Sequence, residues 1–162
     1  MLKLELILAR LFSKMKLPRV YLAGHYFEKE YRRYVSKEYS SHFKIILPIE
    51  IDYKKYWKIV VQHDKRQIRR CDIVVVFLRK PTFGTIMEIM YAYMKKKPVY
   101  FINPNRMYIN DVWVKYHVKK SFFSIDECFQ FLIEKYSKKK NNKKRNGGKN
   151  GVIERRKEKE AK

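Results

Sequence analysis

Short apolar runs alternate with longer segments of mixed polarity between residues 18 and 137 of the chain. The short runs are rich in β-branched and aromatic side chains and predict strands at 19–23, 43–47, 73–78 and 99–102, with a fifth near 118–123. The segments between them have the length of helices, which the pattern predicts at about 28–39, 53–70, 85–96 and 125–136. Regular alternation of strands and helices is typical of α/β domains.

The run IVVVFL at 73–78 is apolar at every position, without the alternation that a strand with one solvent-exposed face shows. This pattern predicts a central parallel strand that helices cover on both faces. The expected fold is an α/β, three-layer, doubly wound sandwich of the flavodoxin or Rossmann type, with a mostly parallel sheet of about five strands. Ligands of such folds bind beyond the carboxyl ends of the strands, which here are followed by loops at 24–27, 48–52, 79–84 and 103–106.

The two ends of the chain differ from this central region, which we expect to form one α/β domain over residues 18–137. Residues 1–17 begin with MLKLELILARLF, an amphipathic extension that we interpret as a helix packed on its own domain. The alternative is that this extension rests on a membrane surface or on a partner. Residues 138–162 contain 12 basic and 3 acidic residues and almost no apolar ones, so we predict a disordered basic tail.

The net charge and the apolar content of the chain favour some classes of protein and exclude others. The 162 residues include 39 Lys and Arg against 16 Asp and Glu, a formal net charge of +23. This excess favours nonspecific binding of nucleic acid at low salt, through the basic surface and the tail. An apolar content of 46% is enough for a core and excludes disorder of the whole chain. No apolar run reaches the roughly 18 to 20 residues that a membrane-spanning helix requires.

Cysteine and histidine usage predicts neither disulfides nor metal. Cys71 and Cys128 are too few for a disulfide scaffold, and no cleavable signal sequence is recognised, so we expect a reducing, cytoplasmic location. His42, His63 and His117 do not lie at metal-ligand spacing from one another or from the cysteines. We therefore predict no metal site and no cofactor.

Acidic residues near the predicted crevice each have an ordinary structural explanation. The segment Thr85-Ile86-Met87-Glu88 fits a capping box, in which the Glu88 side chain bonds back to the N-cap amide. Asp72 precedes the strand at 73–78 and is explained by turn hydrogen bonding. Asp64 lies among basic residues and is explained by a surface ion pair. Local chemistry alone does not separate these structural roles from functional ones.

Four segments, taken together and in order, resemble the nucleoside 2-deoxyribosyltransferase family and the related 2′-deoxynucleoside 5′-phosphate N-hydrolases. They are VYLAG at 20–24, HDKRQIRRCDIVVVF at 63–77, PTFGTIMEIMYA at 81–92 and KPV at 97–99. The most specific part is an Asp eight residues before the D-I-V-V-V strand, followed by G-T-x-x-E. The resemblance spans about residues 19–103.

This resemblance implies that Glu88 is the nucleophile that attacks the sugar anomeric carbon, and that Asp64 is the companion carboxyl group that assists departure of the base. It places Tyr21 in the sugar pocket. The other substrate-binding positions that it implies are Gly24, His25, Thr82 and Gly84. Two carboxyl groups suit this chemistry because one can trap the oxocarbenium-like sugar covalently while the other handles protons.

The sequence does not decide whether the deoxyribosyl group is transferred to another base or to water. Thr82 stands six residues before Glu88, where the resemblance implies Asp in the transferases and a hydroxyl residue after Pro in the nucleotide hydrolases. Pro81-Thr82 is similar to the hydrolase pattern. The loop Gly24-His25-Tyr26-Phe27, however, lacks the Ser and Arg that the hydrolases place there, with His25 as the substitute donor.

The resemblance also implies partners: a deoxynucleoside or deoxynucleotide substrate, and a homo-oligomer, dimer or larger, in which a neighbouring copy completes the site. The alternative from a different functional class is a non-catalytic basic protein on the same fold that binds nucleotides or nucleic acid. Turnover of a nucleoside distinguishes the two.

Overall fold

A computed structural model describes residues 17–25, 28–80, 82–107 and 110–136. Its strands are β1 (Arg19–Gly24), β2 (Lys44–Ile46), β3 (Ile73–Phe77), β4 (Val99–Ile102) and β5 (Lys120–Phe122). Its helices are α1 (Lys29–Tyr39), α2 (Trp57–Arg70), α3 (Phe83–Met94), α4 (Val112–His117) and α5 (residues 125–136). The predicted tail 138–162 and all but the last residue of the predicted extension 1–17 lie outside this description.

The five strands form a single parallel sheet in the order β2-β1-β3-β4-β5. The chain moves outward from β1 to β2, then returns to the other side of β1 as β3. The carboxyl ends of β1 and β3 therefore form the switch point of the sheet, where Gly24 is in register with Phe77. In open parallel sheets this is the place at which ligands bind.

Helices cover both faces of the sheet, which confirms the predicted three-layer sandwich. On one face, Tyr21 and Val76 belong to a buried cluster that includes Ile68 of α2 and Ile89 of α3. On the other face, α1 packs its Tyr31 ring on Phe77, with ring centroids 4.6 Å apart. All five residues of β3 are buried, as the unbroken apolar run predicts.

The ends of several elements differ from the prediction for local reasons. Helix α2 begins at Trp57 and not near residue 53, because the Asp52 carboxylate accepts from the amides of Lys54 and Lys55 at 3.0 and 3.2 Å. This turn occupies the residues before the helix. Helix α4 was not predicted: it has six residues, and Asp111 caps it by accepting from the Val114 amide at 2.9 Å.

Three further observations complete the fold. Cys71 and Cys128 are both free and buried, as expected for small core residues. The chain divides into two compact units between Cys128 and Phe129, and the site described below lies wholly in the first. None of the helices among the described residues is long and apolar enough to cross a membrane.

Candidate active site

The centre of the site is a hydrogen bond between Tyr21 of β1 and Glu88 of α3. The Tyr21 hydroxyl donates to Glu88 Oε1 at 2.7 Å. Tyr21 is fully buried, and its side chain points to the same face of the sheet as Ala23 and Val74, where α2 and α3 pack. A rigid central strand thus holds the phenol against the carboxyl group.

Glu88 is free to make this contact because the helix is capped elsewhere. Thr82 is the N-cap of α3: its hydroxyl oxygen accepts from the Thr85 amide at 3.3 Å and donates to Thr85 Oγ1 at 2.8 Å. The predicted capping box at 85–88 is therefore wrong, and no acidic residue lies in the first turn of the helix. Two threonines three residues apart both fit the cap motif, and the earlier one is used.

Burial controls the protonation of Glu88. Although the residue as a whole is half-buried, desolvation of its carboxyl group raises its pKa from the ordinary 4.5 to about 8. The neighbouring Asp64 carboxyl group contributes to this rise, whereas the Tyr21 hydrogen bond and the positive charge of Arg32 limit it. In the free protein at neutral pH, Glu88 is consequently protonated in a large fraction of molecules.

Asp64 of α2 belongs to the same site and does not point into bulk solvent, since its side chain is 15% exposed. Desolvation raises its pKa, and hydrogen bonds from His63 and Tyr21 oppose that rise. His63 Nδ1 lies 3.3 Å from Asp64 Oδ1, and His63 Nε2 lies 3.2 Å from the Gln67 amide nitrogen. The His63 ring therefore lies between the Asp64 carboxylate and the Gln67 side-chain amide.

Tyr21 therefore connects two acidic groups that the sequence separates widely. Burial raises the pKa of Tyr21 well above its usual range, and the charges of Glu88 and Asp64 add to that effect. The phenol stays protonated at physiological pH and serves as a hydrogen-bond donor to either carboxylate. The resemblance implied these three residues, and the structure brings them together at the switch point of the sheet.

Gly24 ends β1 at a position that only glycine tolerates. Its φ is +154°, and a Cβ built there would lie 2.7 Å from the Phe77 carbonyl oxygen of the adjacent strand. The close approach of the two backbones fixes the rim of the site. His25 follows, half-buried, and its carbonyl oxygen accepts from the Glu28 amide at 2.9 Å.

Thr82 and Gly84 lie at the start of α3. Both hydrogen-bonding functions of the Thr82 hydroxyl are used by Thr85, so the side chain serves the helix cap. Gly84 is exposed, and a Cβ built there would meet no atom within 4 Å. Residues 26, 27 and 81, which border these positions in the chain, lie outside the described residues.

Sequence reasoning missed Arg32 of α1. Its side chain is buried, and its Nη2 donates to the carbonyl oxygens of Gly24 and His25 at 2.9 and 3.2 Å. The spacing 32, 35 and 39 places this arginine on the buried stripe of the helix with Val35 and Tyr39. A basic residue on an apolar stripe is the signal that could have identified it.

Other features lie away from this site. A surface depression of about 650 Å³ is found at the amino-terminal edge of β1 and β2, where Arg19, Phe43 and Lys44 line it. Within the ranges that the structure describes, no group of three His, Cys, Asp or Glu side chains is arranged to hold a metal ion.

Comparison with known proteins shows the family to which the chain belongs. A family model described as nucleoside 2-deoxyribosyltransferase matches residues 20–147 of the chain. The matched range begins in β1 and contains Tyr21, Asp64 and Glu88. A comparison with curated proteins finds no match.

Proposed function

We propose, for a chain that belongs to the nucleoside 2-deoxyribosyltransferase family, that it cleaves the N-glycosidic bond of a 2′-deoxynucleoside or its 5′-monophosphate. The reaction passes through a covalent intermediate between the sugar and Glu88. The observation that carries this proposal is the convergence of the Glu88 and Asp64 carboxyl groups on the buried Tyr21 hydroxyl.

In the first step, a Glu88 carboxylate oxygen forms a bond to the sugar anomeric carbon. The bond from that carbon to the base nitrogen breaks, and its electron pair goes to the base. Asp64 in its protonated form supplies the proton that the departing nitrogen takes up. The raised pKa of both acids supports a pair that holds one proton between them at neutral pH.

The Tyr21 hydroxyl favours the state in which the shared proton is on Asp64 and Glu88 is ionised. The nucleophile must be ionised while the acid is protonated, yet burial favours the proton on Glu88 in the free protein. A phenol that hydrogen-bonds Glu88 and interacts with Asp64 stabilises the Glu88 carboxylate when the proton moves to Asp64.

In the second step, an acceptor attacks the anomeric carbon and the bond to Glu88 breaks. The acceptor gives its proton to the Asp64 carboxylate, which restores the starting protonation state. A base nitrogen as acceptor gives transfer, and water gives hydrolysis. Tight closure of the site against water favours the first outcome and an open site the second.

We further propose that a second copy of the chain covers the site. Helix α3 exposes Phe83, Met87 and Met94 at 94%, 68% and 68% of their surfaces, on the same helix that carries Glu88. Apolar side chains that are so exposed mark interaction surfaces when they are contiguous. A homo-oligomer that covers these side chains would place a neighbouring copy against the helix that carries Glu88.

Incubation with substrates tests the proposal directly. Purified protein is incubated with deoxynucleosides and deoxynucleoside monophosphates, with and without an acceptor base, and free base is separated by chromatography. Base release without an acceptor identifies a hydrolase, and exchange only with an acceptor identifies a transferase. Release that persists unchanged in Glu88→Ala would contradict the assigned nucleophile.

The non-catalytic alternative has its own signature in the same experiment. It predicts no turnover of any nucleoside, together with nucleic-acid binding that weakens steeply as salt is raised. Turnover that Glu88→Ala abolishes excludes it.

A further inference from the structure

Arg32 occupies an unusual position for a charged residue. It is 6% exposed, and it comes from α1, which packs on the face of the sheet opposite to Tyr21. Its guanidinium group reaches the carboxyl end of β1 and donates to the carbonyl oxygens of Gly24 and His25. These carbonyls belong to the turn at the switch point, next to the carboxyl pair.

The charge of Arg32 acts on both acids of the site. It lowers the pKa of Glu88 and the pKa of Asp64, in opposition to their burial. The other titratable groups that face the pair are Tyr21 from β1 and His63 from α2, and His63 acts on Asp64. Among the described residues, Arg32 is the cation that acts on both carboxyl groups.

We infer that Arg32 is a positioning residue for the proposed reaction: it fixes the turn at Gly24 and His25 and supplies a permanent positive charge beside the carboxyl pair. This inference rests on the proposed function for its role in turnover. The effect of the buried Arg32 charge on the Glu88 and Asp64 carboxyl groups does not depend on whether a nucleoside is cleaved.

Arginine suits this position for two physical reasons. Its guanidinium group stays protonated at every physiological pH, whereas a buried lysine loses its charge readily. Its planar set of donors can bind two backbone carbonyls at once and still present positive charge to a carboxylate. Without a nearby cation, burial shifts buried carboxyl groups toward the neutral form, which reduces the fraction of molecules that hold a nucleophilic carboxylate.

The test separates the charge from the hydrogen bonds. Arg32→Gln keeps a donor for the turn and removes the charge, and Arg32→Lys keeps a donor whose charge is less firmly held on burial. Arg33→Met is the matched control, because the adjacent Arg33 is exposed. The Glu88 carboxyl is titrated by carbon NMR in each protein, with its signal assigned by comparison with Glu88→Gln, and the pH profile of base release is recorded in parallel.

We expect Arg32→Gln to move the Glu88 titration to higher pH and to move the acidic limb of base release in the same direction. Arg32→Lys should give a smaller change, and Arg33→Met none. Equal Glu88 titrations in wild type and Arg32→Gln would overturn the inference. If Arg32→Gln does not fold, Arg32→Lys decides: a Glu88 titration that moves to higher pH is expected, because a buried lysine holds its charge less firmly, and a Glu88 titration equal to that of wild type overturns the inference.

Failure of the proposed function gives a different pattern. If wild type releases no base, the chemistry of the proposed function is wrong, while the NMR titrations still decide whether Arg32 sets the protonation of the pair. If wild type releases base but the Glu88 carboxyl titrates equally in wild type and in Arg32→Gln, the proposed function stands and the inferred role of Arg32 is wrong.

Discussion

The Tyr21 hydroxyl donates to Glu88 Oε1 at 2.7 Å across 67 residues of sequence. This bond joins the interior strand β1 to the helix α3 at the edge of the sheet where ligands of such folds bind. It removes the simplest structural explanation of Glu88, since the capping role belongs to Thr82. A glutamate that caps nothing and is held by a buried phenol is positioned for chemistry.

Tyr21→Phe should reduce turnover while leaving the fold intact. The ring still fills its buried site, but the carboxylate of Glu88 loses a donor, and a hydrogen bond to a charged group contributes about 1.5 to 3 kcal/mol. We expect kcat/KM for base release to fall about 10- to 100-fold and its acidic limb to move to higher pH, because this hydrogen bond lowers the pKa of Glu88.

Tyr91→Phe is the control for that experiment. Tyr91 is a tyrosine of α3 whose hydroxyl accepts from Arg69 Nη1 at 2.8 Å, on an exposed part of the molecule. It should leave kcat/KM and the pH profile unchanged. Wild-type turnover in Tyr21→Phe would remove Tyr21 from the mechanism.

Glu88→Gln should stabilise the protein in a manner that depends on pH. The folded state holds the Glu88 proton up to about pH 8, whereas the unfolded chain releases it near the ordinary value of 4.5. Wild type therefore loses stability as pH rises from about 4.5 to 8, and the glutamine variant does not. The difference in unfolding free energy should approach zero below pH 4.5 and reach at most about 5 kcal/mol above pH 8.

Denaturant unfolding at pH 5 and pH 8.5 measures this difference. Glu134→Gln, at an exposed position of α5, serves as the control and should follow the wild-type pH dependence. A glutamine variant that is equally stable relative to wild type at both pH values would show that the Glu88 carboxyl group is not desolvated.

Two glycines of the site should respond oppositely to the same substitution. Gly24→Ala forces a side chain onto a positive φ and places its Cβ 2.7 Å from the Phe77 carbonyl oxygen, so we expect a loss of about 1 to 3 kcal/mol in unfolding free energy. Gly84→Ala has open space and helical backbone, and alanine there should be neutral or stabilise by up to about 1 kcal/mol. Equal effects of the two substitutions would contradict the described backbone at Gly24.

Self-association should depend on the exposed apolar face of α3. We expect light scattering coupled to gel filtration to give a dimer or a larger assembly for wild type, and a smaller species for Met87→Lys, because a charge cannot be buried in an apolar contact without a partner. Ile59→Lys on the exposed face of α2 is the control and should keep the wild-type mass. A wild-type monomer that is fully active would contradict the proposed cover.

The strands were predictable from sequence because burial on both faces leaves an unambiguous pattern. The run at 99–102 is β4 with both ends correct, and 73–78 overshoots β3 by one residue. Helix ends were less predictable, since they depend on single side-chain contacts. Thr82 and Thr85 are the same residue type, and only the path of the chain decides which of them caps α3.

The site was predictable as a set of residues but not as a geometry. The resemblance of four segments to the family indicated Tyr21, Asp64 and Glu88. The hydrogen bond between Tyr21 and Glu88 arises from the packing of β1 against α3. Arg32 lies outside the four segments that resemble the family, on a helix whose sequence contains no functional motif. Its role follows from the path of its side chain around the end of β1, which no local pattern specifies.

Mass spectrometry of the protein quenched in acid during turnover tests the covalent step most directly. A 2′-deoxynucleoside is mixed with wild type and with Glu88→Gln, and the proteolytic fragments are searched for one added deoxyribosyl group. The account predicts this group on the fragment that contains Glu88 in wild type and its absence in the variant. Turnover by wild type with the sugar attached to another residue, or base release by Glu88→Gln at the wild-type rate, would contradict it.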